Sequence, residues 1–211
     1  MMRIRINFSK TEIIKYTSHL DLYRAWERTL RRAELPLAYS KGFKPHPHIN
    51  LACALPLGFT SENDLVDIWL EQDICLEEIS RRLIKAVPPG IEIKSVIEIP
   101  IQTSSLQKQL KAFEYCVTLF EKVSDLPEKL AALMASESLW RERNDKKYDL
   151  RPLLIELTSP DIKSFSQQQI LMILKAGENT TGRPEEVLRC LSIEPASTQI
   201  HRRRLILEES T

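Results

Sequence analysis

The 211-residue sequence predicts an α+β fold made of two ferredoxin-like halves with packed or continuous, mainly antiparallel sheets. Three observations point there. In the second half, strand-like and helix-like periodicities alternate in the order β-α-β-β-(β)-α-β, the split βαβ pattern. The first half has a similar rhythm, with extra strands near its start. Apolar residues make up 43% of the chain and charged residues 28%, which is enough for a core and excludes disorder as the main state.

Each element has a local reason. Residues 2–8 alternate and read as a strand, followed by a short extended stretch at 13–17. Ser18 opens a helix, with Asp21 completing a capping-box-like S-x-x-D, and Leu22, Trp26, Leu30 and Ala33 form its buried stripe. Pro36 stops that helix. Strands are expected at 35–40 and 48–56, separated by a loop at 41–47 whose glycine and two prolines bar regular structure. A strand at 64–72 precedes a helix with Leu76, Ile79, Leu83 and Val87 inward and Glu77–Arg81 and Glu78–Arg82 as exposed pairs. Pro88-Pro89-Gly90 ends it, and 91–100 is the closing strand. Residues 101–111 read as a linker, which sets the domains at 1–100 and 112–211. In the second half, strands are expected at 113–120, 138–143, 150–158, 168–175 and 199–207, with helices at 126–135 and 184–192. Pro127 and Pro184 fall in the first turns of those helices, where proline is tolerated.

The net charge is +1, which excludes a protein coated uniformly in positive charge. The average hides a gradient: residues 1–60 carry +6, residues 61–100 carry −5, and the remainder is neutral. A basic block of this kind points to an anionic partner, with local ion pairing as the plainer explanation. No run of about 18 apolar residues is present, so no transmembrane helix is expected. The start lacks the apolar core of a signal peptide, which makes the cytoplasm the expected compartment. Cys53, Cys75, Cys116 and Cys190 are widely spaced in apolar surroundings. They are expected to be reduced, buried thiols, with no metal site.

The chemistry-bearing residues concentrate between Ser18 and Gly58. Arg24, Arg28 and Arg31 recur at helical spacing, with Arg32 beside them; forked guanidinium groups suit phosphate oxygens. An ordinary solvated face with a Glu27–Arg31 pair would look the same. Ser40, Lys41, Gly42, Phe43, Lys44, His46 and His48 form a proline-stiffened loop with two cations, two imidazoles and a ring able to stack on a base. A rigid connector between strands is the structural alternative. His19, Asp21 and His46 are candidates for a general acid/base set, and with His48 they could converge on a metal, but the plainer reading prevails, in which His19 and Asp21 serve the helix start. The His201–Arg204 run could extend the basic surface or blunt an edge strand. Residues 140–152 read as a charged hairpin tip, with an added cationic contact as the alternative, and 175–186 as a polar turn. None of the common phosphate-loop, dinucleotide, zinc-protease or nucleophile-elbow motifs occurs, and no cofactor is expected.

The stretch from Phe8-Ser9-Lys10 through residues 16–64 closely resembles the radical-SAM-linked family. This is a domain of unknown function found beside, or fused to, B12-binding-type radical SAM proteins. The resemblance is carried by Ser18–Leu22, Arg24, Glu27, Arg28, Arg31–Ala33, Leu35, Pro36, Ser40, Gly42, Phe43, Pro45–Pro47 and Leu55–Gly58. Residues 148–154 and 182–188 also look like it. The resemblance implies a radical SAM enzyme as partner and, from the usual gene neighbours of such proteins, an RNA-related role. It assigns no catalytic residue, and this chain has no iron–sulfur cysteine motif with which to run radical chemistry itself. The leading expectation is an accessory RNA-binding partner of a separate radical SAM enzyme, for tRNA or rRNA. The alternatives are a stand-alone RNA-processing or RNA-modifying enzyme and a protein-only adaptor.

Overall fold

The computed structural model describes residues 1–143, 145–160, 167–176 and 181–208. The chain divides into two compact units, residues 1–109 and 110–211. The first contains β1 (Met2–Lys10), α1 (His19–Arg32), β2 (Ile49–Leu51), β3 (Thr60–Leu70), α2 (Leu76–Ala86), β4 (Ile91–Ile99) and α3 (Leu106–Gln109). Its strands are antiparallel in the order β4-β1-β3-β2. The second contains β5 (Leu110–Leu119), α4 (Leu126–Ala135), β6 (Trp140–Arg143), β7 (Lys146–Asp149), β8 (Leu154–Thr158), β9 (Gln169–Lys175), α5 (Pro184–Cys190) and β10 (Thr198–Leu207). There the antiparallel order is β10-β5-β9-β8, with β6 and β7 inserted as a separate hairpin. Counting main strands within each unit, both sheets read fourth, first, third, second. That is the ferredoxin-like order, so each half is a complete split βαβ unit.

Alternation in β1 sorts the first unit into two faces. Ile4, Ile6 and Phe8 join Val66, Ile68 and Leu70 beneath Leu22, Trp26 and Leu30 of α1 and Ile79 and Leu83 of α2. The odd residues of β1 point the other way. There Arg3 and Arg5 both bond Asp67, at 2.7 Å from the first and 2.8 and 3.0 Å from the second. Arg3 also lies over the Trp69 ring, 4.6 Å from its centroid. The segment read as a linker is fastened across this face. Arg3 donates to the carbonyls of Ile101, Thr103 and Ser104, Arg5 to Gln109, and Asn50 to Gln107. Residues 110 and 111 already belong to β5.

Several expected elements are shorter or different. Residues 13–17 are not extended: Glu12–Ile14 form a single 3₁₀ turn. The strand expected at 35–40 reduces to isolated bridges at Leu37 and Tyr39, because its neighbours pair with residues 46–48 in a narrow loop. The strand expected at 48–56 keeps only Ile49–Leu51. In α2, Glu78 takes both Arg81 and Arg82, and Glu77 accepts from Cys75 instead of meeting Arg81. Arg82 and then Arg81 hold the Glu78 carboxyl below its ordinary range. Trp140–Arg143 and Lys146–Asp149 pair as the expected hairpin, and residue 144 of that segment and residues 177–180 of the expected polar turn lie outside the described residues.

Candidate nucleic-acid interface

Helix α1 is capped as its sequence requires. The Ser18 hydroxyl accepts from the Asp21 amide at 3.2 Å and donates to the Asp21 carboxylate at 2.7 Å. The carboxylate also stands at the positive end of the helix dipole. Asp21 therefore serves the helix start and meets Arg24 at 3.4 Å, with both side chains more than half exposed. His19 lies two positions earlier, about 200° away around the axis. It is half-buried, with a buried Nδ1 that has no hydrogen-bond partner among the described residues. His19 and Asp21 do not face each other.

The loop is a tight structure in its own right. The Ser40 amide bonds the His46 carbonyl at 2.9 Å, the His46 amide bonds the Ser40 hydroxyl at 3.0 Å, and the His48 amide bonds the Ala38 carbonyl at 2.8 Å. Residues 41–45 form the exposed tip, with Phe43 fully exposed. The two loop histidines part company. His46 Nδ1 sits 4.0 Å from Glu27 of α1, whereas His48 stacks on Trp69 with ring centroids 4.0 Å apart. Trp69 is the cross-strand neighbour of Arg3, so His48 belongs to the polar back face of the sheet. Among the described residues, no group of three or more His, Cys, Asp or Glu could hold a metal ion. The geometry does not gather His19, Asp21, His46 and His48 into one set.

The cations are gathered better. Glu27 faces His46 and not Arg31, and this contact sets the loop beside the exposed flank of α1. The side chains of Arg28, Arg31, Lys41 and Lys44 are exposed and have no ion-pair or hydrogen-bond partner among the described residues. Arg32 holds two helices together, since its guanidinium donates to the Ala86 carbonyl at the end of α2. Arg151 does the same for α4 through the Met134 carbonyl. In the C-terminal run, Arg202 lies buried against the Phe113 ring, and Arg203 and Arg204 both pair with Glu114. That run lies within β10 and is ion-paired inside its own unit.

Sequence reasoning missed two features of the first unit. One is Lys10, entirely buried at the end of β1, whose ammonium donates to the carbonyls of Lys15 and Thr17 at 3.0 and 3.1 Å. The other is a group of exposed apolar side chains, Ile13, Tyr16, Leu20 and Leu57. Leu20 off the buried stripe of α1 was the available signal. The thiols also depart from expectation. Cys75 is exposed beside Glu77, while Cys53, Cys116 and Cys190 are half-buried. Burial pushes the thiol pKa of Cys116 and Cys190 upward, which lowers their thiolate fraction. Brief iodoacetamide treatment near neutral pH followed by peptide mass spectrometry should find Cys75 modified first. Faster loss of Cys116 or Cys190 would contradict the burial seen here.

A family model described as "Uncharacterized protein conserved in bacteria (DUF2344)" matches residues 3–184. No curated protein matches the chain. Among solved structures, one described as "Crystal structure of putative glycine cleavage system transcriptional repressor" is similar at 12% identity and a TM-score of 0.25, covering 95% of each chain. Among the described residues, no helix is long and apolar enough to cross a membrane.

Proposed function

Because the chain belongs to this family of uncharacterized bacterial proteins, its activity has to be argued from its own surface, and we propose that it is an accessory RNA-binding protein serving a separate radical SAM enzyme. The observation that carries this reading is the set of four cations unpaired among the described residues, Arg28, Arg31, Lys41 and Lys44, beside the fully exposed Phe43. Unpaired guanidinium and ammonium groups attract phosphates, and an exposed ring offers a stacking surface to an unpaired base. Single-stranded or looped RNA fits this combination better than a regular duplex, whose bases are already stacked. The same segment bears the resemblance to the radical-SAM-linked family, which supports the enzyme as partner. The stand-alone enzyme reading has less behind it, since Asp21 is engaged by Ser18 and Arg24 and His46 lies nearest Glu27.

Filter binding of single-stranded RNA at several ionic strengths tests the RNA half. Four phosphate contacts give a log–log salt slope of roughly −3. The Lys41→Ala/Lys44→Ala variant should bind more weakly and about halve that slope, while Phe43→Ala should cost about 1–3 kcal/mol with the slope unchanged. Salt-insensitive binding, equal in all three proteins, would sink the proposal.

A further inference from the structure

Apart from the residues assigned to RNA, the first unit holds a cavity of about 600 Å³ between the C-terminal end of α1 and one flank of α2. That volume is in the range of small-ligand sites, roughly 300–1,000 Å³. Its lining is charged: Arg32, Arg81, Arg82 and Lys85 stand against Glu34 and Glu78. Four cations facing two carboxylates leave a local positive surplus, so what this cavity selects is charge.

Part of the charge is engaged by the fold. Glu78 Oε2 accepts from Arg81 Nε and Nη2 at 2.9 and 2.5 Å, and its Oε1 accepts from Arg82 Nε at 2.6 Å. Arg82 Nη1 donates to the Glu34 carbonyl at 3.0 Å, and Arg32 Nη2 to the Ala86 carbonyl. Cations are ordinary partners for the carbonyls at helix C-termini. These contacts leave donors unused. Arg32 Nε and Nη1, Arg81 Nη1 and Arg82 Nη2 have no acceptor among the described residues, and neither does the Lys85 ammonium. Glu78 and the two carbonyls therefore hold three guanidinium groups in place with nitrogens to spare. Donors fixed in advance lose little entropy when an anion arrives. The Glu34 carboxylate also lacks a partner among the described residues.

We propose that this cavity binds a phosphate monoester carried on a small hydroxylated molecule. Such a group brings nearly two negative charges near neutral pH and three acceptor oxygens, roughly −1.5 to −2 in charge. It matches the excess of cations over carboxylates and the forked donors of the guanidinium groups. A phosphodiester link carries a single charge and matches less well. The free Glu34 carboxylate repels a bare phosphate and accepts from a hydroxyl, so it favours the ester over the inorganic ion. This site stands whether or not RNA binds at Lys41 and Lys44. The same chemical group occurs on free sugar phosphates and at the end of a 5′-phosphorylated RNA.

Isothermal titration calorimetry of the full chain at low ionic strength, with ribose 5-phosphate and inorganic phosphate as probes, is the test. Saturable binding of ribose 5-phosphate is expected, tighter than that of inorganic phosphate. Lys85→Ala removes an exposed side chain with no partner in the fold, so the thermal midpoint should hold while ribose 5-phosphate affinity falls at least about tenfold. Glu34→Gln removes the repelling charge, so inorganic phosphate should bind more tightly and the preference for the ester should narrow. Filter binding of one oligonucleotide with a 5′-phosphate or a 5′-hydroxyl separates the sources. A Lys85-dependent preference for the phosphorylated end would support the site and assign the ester to RNA; equal binding of the two, with ribose 5-phosphate bound, would support it and assign a free molecule. Failure of both ribose 5-phosphate and the 5′-phosphate to bind in preference to their controls would overturn the site. Binding that Lys85→Ala leaves unchanged would overturn it too. An equal Lys85→Ala loss for both oligonucleotides would overturn the monoester, by making the cavity part of the general RNA face.

Discussion

Alanine in place of Asp67 is expected to destabilise the N-terminal unit by about 3–5 kcal/mol, read from urea denaturation. Asp67 is fully buried between two arginines. One oxygen accepts from Arg3 and Arg5, and the other from Arg5 Nε. Removing the carboxylate leaves two guanidinium charges facing each other in a region where Arg3 is almost inaccessible to water. Arg3 would keep its backbone acceptors in residues 101–104, so the unit should remain foldable. Asp67→Asn retains the shape and one acceptor oxygen and should lose less, about 2 kcal/mol. A loss under about 1 kcal/mol for the alanine variant would mean that solvent reaches the arginines and that residues 101–109 do not seal this face.

Trp26→Ala should cost a similar amount, about 3–5 kcal/mol. The side chain is fully buried, and its ring meets Phe8 edge-on at a centroid distance of 4.9 Å. Its indole nitrogen is buried without an acceptor among the described residues. That detail separates two substitutions. Trp26→Phe loses volume but also removes a donor that folding deprives of water, so it should cost only about 1 kcal/mol. A phenylalanine variant as unstable as the alanine variant would show that the nitrogen has a partner. Trp26 seats the helix that carries Arg28 and Arg31, so if the proposed RNA contact is made there, the alanine variant loses it as it approaches its unfolding midpoint.

The sequence made the ferredoxin-like order legible because its carriers are local. Alternation in residues 2–8, the Ser18 cap and the Leu22–Trp26–Leu30 stripe each state their structure within a few residues. The short elements around 35–56 were harder to read. LPLAYS and HINLACALP have strand composition, but a proline-bound loop and brief pairing leave only bridges and three residues of strand. The cationic face was legible in part. Helical spacing found Arg28 and Arg31, but no local rule indicates that Arg32 would reach across to α2 or that Glu27 would turn from Arg31 to His46. Of the residues considered for acid/base work, His19 and Asp21 lie two apart at the start of α1, and positions two apart on a helix point in different directions. Lys10 and Asp67 were invisible as buried charges because their partners lie at a backbone turn and on another strand, which composition does not record.

The placement of the first strand in each sheet has a consequence for how the protein is made. β1 lies inside its sheet, and both of its neighbours, β3 and β4, come later in the chain. While the polypeptide is being synthesised, Ile4, Ile6 and Phe8 must wait for β3, which begins at residue 60. At ordinary elongation rates that interval is roughly 3–12 s. The second unit repeats the situation, with β5 waiting for β9 and then for β10. The nascent chain therefore passes twice through a stage in which an apolar strand is complete and its pairing edges are open. Shielding from aggregation on the ribosome should matter more to its yield than the stability of the finished fold.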